Sequence, residues 1–164
     1  MIDGVVLKEM TRHEDSRGHF AEIFRAADHR VTFVQGNHSF TKKHALRGLH
    51  YHRRQADLWY VVRGQAQVGL ADLRTRQDPP IVDSLVLDAA KPETLFIPPG
   101  VAHGYVALTD LQLVYFVTTT YDASDEYGIP WNGVSIDWLV EGPVLSERDA
   151  HPPALDWSQV GSFD

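Results

Sequence analysis

Short apolar or alternating segments recur along this chain, and turn-forming residues separate them about every eight to twelve residues. This spacing is typical of an all-β sandwich or barrel, and no long helical period interrupts it. Helical turns are predicted only at 26–29 and 147–150. The predicted strands cover residues 5–8, 20–24, 32–39, 45–51, 58–62, 66–71, 81–87, 93–97, 104–107 and 111–119.

The segment after Tyr121 is irregular and rich in Asp, Gly, Pro and Trp. Because 164 residues is an ordinary length for one domain, we expect this segment to wrap over the barrel and not to form a second domain. The sequence therefore predicts a single all-β domain over residues 1–164.

Composition excludes several classes of partner. The chain has 15 Lys and Arg against 22 Asp and Glu, and its net charge of −7 argues against a nucleic-acid surface. It has no cysteine, so disulfides and thiolate ligands are excluded. Residues 1–4 lack a basic region followed by an apolar run, and no stretch approaches the length of a membrane span. We expect a cytoplasmic protein that binds neither nucleic acid nor a membrane.

Two histidine-bearing segments carry the candidate chemistry, Leu-Arg-Gly-Leu-His-Tyr-His at 46–52 and Ile-Pro-Pro-Gly-Val-Ala-His-Gly-Tyr at 97–105. Residues two apart in a strand point to the same face, so His50 and His52 could aim at one interior point. Asp57 would lie on the neighbouring stretch and His103 across the barrel. This set resembles the motifs of metal-binding cupins and would suit one divalent iron, manganese, nickel or zinc ion. The alternative is that these histidines line a polar interior without a metal.

Six blocks of residues follow one another between about residues 15 and 155: Asp15-x-Arg17-Gly18-x-Phe20-x-Glu22, Val34-Gln35-x-Asn37-x-Ser39, Leu46-Arg47-Gly48-Leu49-His50-Tyr51, Ile97-Pro98-x-Gly100-x-Ala102-His103-Gly104, Ile129-x-Trp131-Asn132 and Leu145-Ser146-x-x-Asp149. In order and spacing they resemble the dTDP-4-dehydrorhamnose 3,5-epimerase family. The resemblance implies a cupin-like double-stranded β-helix, or jelly roll, that forms a homodimer and needs no metal or other cofactor. It also implies a nucleotide-linked 4-keto-6-deoxy sugar as substrate, with dTDP as the expected nucleotide.

The chemistry that the resemblance implies needs a base and an acid on opposite faces of the sugar ring. A proton beside a ketone can be removed because the enolate spreads its charge onto the carbonyl oxygen, and reprotonation from the other face inverts the centre. Histidine suits the base, and a carboxylate on its other nitrogen fixes the tautomer. By resemblance, His50 is the base, Asp149 its orienting partner and Tyr115 the proton donor.

The resemblance also implies a set of binding residues. The planar forks of Arg17 and Arg47 suit the nucleotide diphosphate. His103 matches a histidine that faces the sugar, and Tyr121 matches a tyrosine near the pocket mouth. Further positions near the nucleotide and sugar are matched by Glu22, Gln35, Asn37, Glu126 and Arg148.

The chain departs from the family pattern at the centre of the site. Counting back from Gly64, the Lys that stabilises the enolate oxygen is replaced by Asp57, and His52 replaces a common Gln. Loss of a cation beside an oxyanion typically costs roughly a hundred- to a thousandfold in rate. Three hypotheses follow: an epimerase in which Arg53 or Arg54 supplies the charge, a metal-dependent enzyme using His50, His52, Asp57 and His103, or a non-catalytic sugar-nucleotide-binding protein.

Overall fold

A computed structural model describes residues 1–158 and 160–163, over which twelve antiparallel strands form two five-stranded sheets and one separate hairpin. The first sheet has the order β1-β9-β6-β11-β4, the second β12-β5-β10-β7-β8, and the hairpin is β2-β3. The strands are β1 Val6–Glu9, β2 Arg12–Asp15, β3 Gly18–Ala21, β4 Gln35–Thr41, β5 Leu46–Tyr51, β6 Asp57–Arg63, β7 Gln65–Asp72, β8 Ile81–Asp88, β9 Glu93–Ile97, β10 Val101–Ala107, β11 Leu111–Val117 and β12 Tyr127–Gly128.

The main core lies between the two large sheets. Trp59 and Val61 of β6 pack in one buried cluster with Val68 and Leu70 of β7 and with Tyr105 of β10. Alternate residues of each strand face this core because successive side chains of a strand point to opposite faces. The all-β class and the jelly-roll architecture predicted from the sequence are confirmed.

The segment after β11 covers the outer face of the second sheet. Leu49 of β5 and Ala102 of β10 form a second buried cluster with Ile129 and Ile136, against which Trp157 packs. As a result, β10 is buried along its whole length. The predicted wrapping of the C-terminal segment over the barrel is confirmed. The opposite face of the second sheet faces the interior of the barrel.

The main difference from the predicted strands is the hairpin. Its first strand, Arg12–Asp15, contains no apolar residue, so the alternation that predicts strands is missing there. The second strand begins at Gly18 and ends at Ala21, earlier than predicted. The predicted helical turns are confirmed at Ala26–Asp28 and as helix α1, Glu147–Ala150. No helix among the described residues is long and apolar enough to cross a membrane.

Two glycines allow β5 and β10 to approach each other closely beside the candidate histidines. A Cβ on Gly48 would lie 2.6 Å from the Gly104 Cα and 2.8 Å from the His103 carbonyl oxygen. Gly48 also has a φ of +122°, a conformation that other residues rarely adopt. The register between the strands shifts between His103 and Tyr105, and His103 lies directly opposite His50.

Candidate active site

A cavity of about 540 Å³ opens between the two sheets and contains most of the predicted site. Strands of both sheets line it, so side chains reach it from opposite walls. The volume is typical of a small-molecule site. The predicted residues that line the cavity are Gln35, Asn37, Arg47, His50, His52, Asp57, His103, Tyr115, Tyr121, Glu126, Arg148 and Asp149.

His50 and Asp149 form a hydrogen-bonded pair in one wall of the cavity. His50 extends from β5, and its Nε2 lies 2.7 Å from the Asp149 Oδ1. Ser146 caps α1 by accepting a hydrogen bond from the Asp149 backbone N–H, which fixes that residue at the start of the helix. Burial opposes ionisation of Asp149, yet its hydrogen bonds with His50, Ser146 and Gly48 hold its pKa below the usual value. The carboxylate is therefore ionised near neutral pH and accepts the Nε2 proton, which leaves Nδ1 of His50 free to take a proton.

Tyr115 enters the cavity from the opposite sheet. It lies on β11, between Asn37 of β4 and Trp59 of β6 in the strand register. Burial, followed by the negative charge of Asp57, raises the pKa of Tyr115 above its usual value of 10. The phenol therefore keeps its proton near neutral pH and is available to donate it. Base and acid candidates thus stand on opposite walls of one cavity.

Charged and polar groups surround the cavity and its mouth. Arg47 donates from Nε to the Thr41 hydroxyl at 3.0 Å, which leaves the end of its guanidinium available. Arg148 forms a 2.6 Å ion pair with Glu126, and this ion pair holds the pKa of Glu126 below its usual value although burial opposes the shift. Tyr121 is 71% exposed, as expected at an entrance. Gln35 links two of the lining segments. Its side-chain NH₂ group donates a hydrogen bond to the Asn37 Oδ1, and its side-chain oxygen accepts one from the Tyr121 backbone N–H.

Arg17 and Glu22 do not line this cavity. Arg17 lies in the turn of the β2-β3 hairpin and forms a 2.6 Å ion pair with Asp15. Glu22 follows β3 and forms a 2.8 Å ion pair with Arg25. A single chain does not bring these two predicted residues to the other members of the site. Their contact with a substrate stays a prediction.

The proposed four-residue metal set is only partly brought together. Among the described residues, ligand atoms of His52, Asp57 and His103 all lie within 4.8 Å of one another. His50 does not belong to this group, and its Nε2 is hydrogen-bonded to Asp149 instead. Burial lowers the pKa of His103 to about 4, so His103 is neutral at physiological pH. The four-ligand hypothesis is therefore corrected to a three-residue cluster.

Neither arginine expected to replace the family's Lys enters the cavity. The guanidinium of Arg53 lies 4.5 Å from the centre of the Tyr127 ring, beside a neighbouring cleft of about 360 Å³. Arg54 forms a 2.6 Å ion pair with Asp122 and a longer one, at 3.6 Å, with Asp125. The backbone N–H groups of Arg53 and Arg54 also donate hydrogen bonds to the Asp125 carboxylate. These bonds fix the loop, and both guanidinium groups lie away from the cavity. The hypothesis that Arg53 or Arg54 supplies the missing charge is not supported by this geometry.

Sequence reasoning missed three residues that organise the site. Trp59 and Gln55 donate hydrogen bonds to the two carboxylate oxygens of Asp57, at 3.1 and 2.9 Å. The backbone carbonyl of Asp125 accepts a 2.7 Å hydrogen bond from the Nδ1 of His52. The alternation of Gln55, Asp57 and Trp59, which leads into β6, was the available signal, because residues two apart in an extended chain share a face. Nothing in the sequence indicated that Asp125, about seventy residues from His52, would reach it.

Comparisons with known proteins agree with the geometry. Residues 1–156 match the sequence model of the dTDP-4-dehydrorhamnose 3,5-epimerase family. The spore coat polysaccharide biosynthesis protein SpsL of Bacillus subtilis (strain 168) is 40% identical over 152 residues, which cover 86% of this chain and 99% of SpsL. The dTDP-4-dehydrorhamnose 3,5-epimerase of Sulfolobus tokodaii superimposes with a TM-score of 0.87 at 30% identity, covering 99% of this chain and 95% of that one. RmlC of Legionella pneumophila Philadelphia 1, solved in complex with dTDP-4-keto-L-rhamnose, gives a TM-score of 0.86 at 29% identity, with coverage of 98% and 91%.

Proposed function

This chain belongs to the dTDP-4-dehydrorhamnose 3,5-epimerase family, and on that premise we propose that it inverts carbon 3, carbon 5 or both of a dTDP-linked 4-keto-6-deoxy sugar. It is an isomerase, since a C–H bond is broken and re-formed on the opposite face with no change in composition. The observation that carries the proposal is the placement of the His50–Asp149 pair and of Tyr115 on opposite walls of one cavity.

Proton removal begins at His50. Nδ1 of the imidazole accepts the proton on the carbon beside the ketone, and the electron pair of the C–H bond moves to the ketone oxygen. Asp149 stabilises the imidazolium that forms, because it is ionised and lies 2.7 Å from Nε2. Tyr115 then donates its phenolic proton to the same carbon from the opposite wall. The reaction transfers protons only, so it requires no redox or group-carrying cofactor.

The remaining lining residues give the cavity its selectivity for a nucleotide sugar. Arg47 and Arg148 bring positive charge toward the diphosphate, in a form suited to bidentate contacts with phosphate oxygens. Gln35, Asn37 and Glu126 provide amide and carboxylate groups for the sugar and nucleotide, with Tyr121 at the mouth. His103 faces the sugar from the strand that pairs with His50.

A homodimer accompanies this function. Two exposed apolar side chains lie at the edge strand β4. Val34, just before this strand, is 54% exposed, and Phe40, within it, is 52% exposed. A second copy packed there would cover these side chains. Its β2-β3 hairpin would then bring its Arg17 and Glu22 to the cavity of the first copy, which a single chain does not do. Light scattering should give about twice the 18.5 kDa mass of the chain, and Phe40→Glu should shift it to the monomer. A monomeric native protein would contradict the dimer.

Deuterium exchange tests the enzymatic proposal. In deuterium oxide the protein should place deuterium at carbon 3, carbon 5 or both of a dTDP-linked 4-keto-6-deoxyhexose, and proton NMR should show the inverted product. The same incubation without protein measures the spontaneous exchange. Tight binding of the sugar nucleotide with no exchange above this background would instead identify a non-catalytic binding protein.

A further inference from the structure

The cluster of His52, Asp57 and His103 has no part in the proton transfers described above. Its members come from three places in the fold: the residue that follows β5, the first residue of β6 and the third residue of β10. The cluster joins the two sheets within the cavity that contains His50 and Tyr115. Its ligand atoms all lie within 4.8 Å of one another, and Asp57 and His103 are buried.

Both histidines of this cluster are held in the same tautomer. Nδ1 of His52 lies 2.7 Å from the Asp125 carbonyl oxygen, and Nδ1 of His103 lies 2.9 Å from the Val101 carbonyl oxygen. A carbonyl oxygen can only accept a hydrogen bond, so each Nδ1 carries a proton and each neutral ring has its lone pair on Nε2. Metal-binding histidines are oriented in this way, with the second ring nitrogen donating to a carbonyl or carboxylate.

Asp57 is a buried carboxylate held by neutral hydrogen-bond donors. It is 3% exposed, and its two oxygens accept hydrogen bonds from the neutral donors Gln55 and Trp59. Within residues 1–158 and 160–163, no Lys or Arg forms an ion pair with it. The Nε2 of His103 lies 3.8 Å from the Asp57 Oδ2, too far for a hydrogen bond. A buried carboxylate without a positive partner is costly, so this position favours a bound cation.

We propose that His52, Asp57 and His103 bind one divalent first-row transition metal ion, which replaces the positive charge that the family places beside the substrate ketone. Two imidazole nitrogens and one carboxylate oxygen suit zinc, iron, manganese, cobalt or nickel. Ligand atoms about 2.1 Å from one ion are at most about 4.2 Å apart. The His103–Asp57 separation of 3.8 Å falls within this limit, and the 4.8 Å that bounds all three ligand atoms exceeds it by about 0.6 Å.

The ion would take the role of a Lewis acid. Three protein ligands leave coordination positions open, and the ligand atoms border the cavity in which the ketone is bound. This role rests on the proposed function. When His50 removes the proton, the C–H electron pair moves to the ketone oxygen, where the ion would stabilise the negative charge. The replacement of Lys by Asp and of Gln by His then becomes one coupled change, because together they convert an ammonium site into a metal site.

Metal binding is measured first without substrate. Protein prepared without a histidine tag is stripped with a chelator and titrated with Mn²⁺, Co²⁺ and Zn²⁺ by calorimetry, and the loaded protein is analysed for metal content. We expect about one equivalent of at least one of these ions. Asp57→Asn and His52→Gln should each weaken binding by about 100-fold or more. The exposed controls Asp137→Asn and His44→Asn should bind as the native protein does. Less than about a tenth of an equivalent, or native affinity in Asp57→Asn, would overturn the proposal.

A second measurement separates this proposal from the epimerase function. His50→Asn should keep the native metal affinity and lose deuterium exchange, because His50 is a base and not a ligand. Stripping the native protein should slow exchange by about 100-fold, and adding the metal back should restore it. Full-rate exchange in stripped protein would overturn the proposed role of the metal beside the ketone and leave the epimerase intact. Stoichiometric metal without exchange on any 4-keto-6-deoxy sugar would support the site and overturn the proposed function.

Discussion

Replacing Asp149 with Asn should impair the enzyme more than replacing it with Ala, although Asn is the closer match in shape. The Gly48 N–H also donates to the Asp149 carboxylate. An amide at this position keeps its carbonyl oxygen on Gly48 and turns its NH₂ group toward His50. The His50 Nε2 then has to accept a hydrogen bond, which forces the ring proton onto Nδ1, the nitrogen that should abstract the substrate proton.

The expected loss follows from that change of tautomer. An equivalent Asp-to-Asn change in a catalytic triad lowers the rate by about 10⁴. At 1.36 kcal/mol per tenfold, a factor of 10⁴ corresponds to about 5.4 kcal/mol of transition-state stabilisation. Asp149→Ala removes the carboxylate without imposing the wrong tautomer, so its loss should be about 10².

The assay is the initial rate of deuterium entry into a dTDP-linked 4-keto-6-deoxyhexose, measured by NMR for the native protein and both variants. Circular dichroism of each variant checks that the fold is retained. The exchange rate of the Asp149→Asn variant should be at least tenfold lower than that of the Asp149→Ala variant. If both variants lose the same activity, or if Asn stays within tenfold of the native protein, Asp149 does not set the tautomer of His50 and the reasoning is wrong.

Three further predictions follow from the same structure. Tyr115→Phe should lower the formation of inverted product by at least about 100-fold, while His50 still exchanges the substrate proton with solvent. Both rates are measured by NMR, and an equal loss of product formation and of proton exchange would refute separate roles for the two residues. Because Tyr115 acts in its protonated form and its pKa is raised, the alkaline limb of the pH–rate profile should lie above pH 10; a Tyr115-dependent limb near pH 8 would contradict this. Gly104→Ala should destabilise the protein by about 3 kcal/mol in chemical denaturation, since its Cβ would meet the Arg47 carbonyl oxygen at 2.5 Å; an unchanged midpoint would be inconsistent with the close strand approach.

The sequence predicted the strands wherever the apolar pattern and the turn residues agreed. Strand β9 was predicted with its observed bounds, Glu93–Ile97, and β7 was predicted within one residue at each end. The two-residue strand Tyr127–Gly128 was missed because packing produces it: the Tyr127 ring stacks on Tyr51 with centroids 5.0 Å apart. Such a strand leaves no periodic signal, since its partner lies far along the chain.

The candidate site could be predicted as a set of residues but not as an arrangement. His50 and Asp149 are 99 positions apart, so only the family blocks indicated that they meet. The geometry found for Arg53 and Arg54 could not be predicted either. The Asp125 carboxylate accepts both of their backbone N–H groups and fixes this loop, and no local pattern encodes that contact.

The most direct test of the account is the rate at which deuterium from solvent enters carbon 3 or carbon 5 with His50→Asn compared with the native protein, both loaded with the same metal. This substitution should slow exchange by at least about 10³-fold at each carbon that the native protein labels, because the imidazole is the base. Exchange at the native rate without His50 would contradict it.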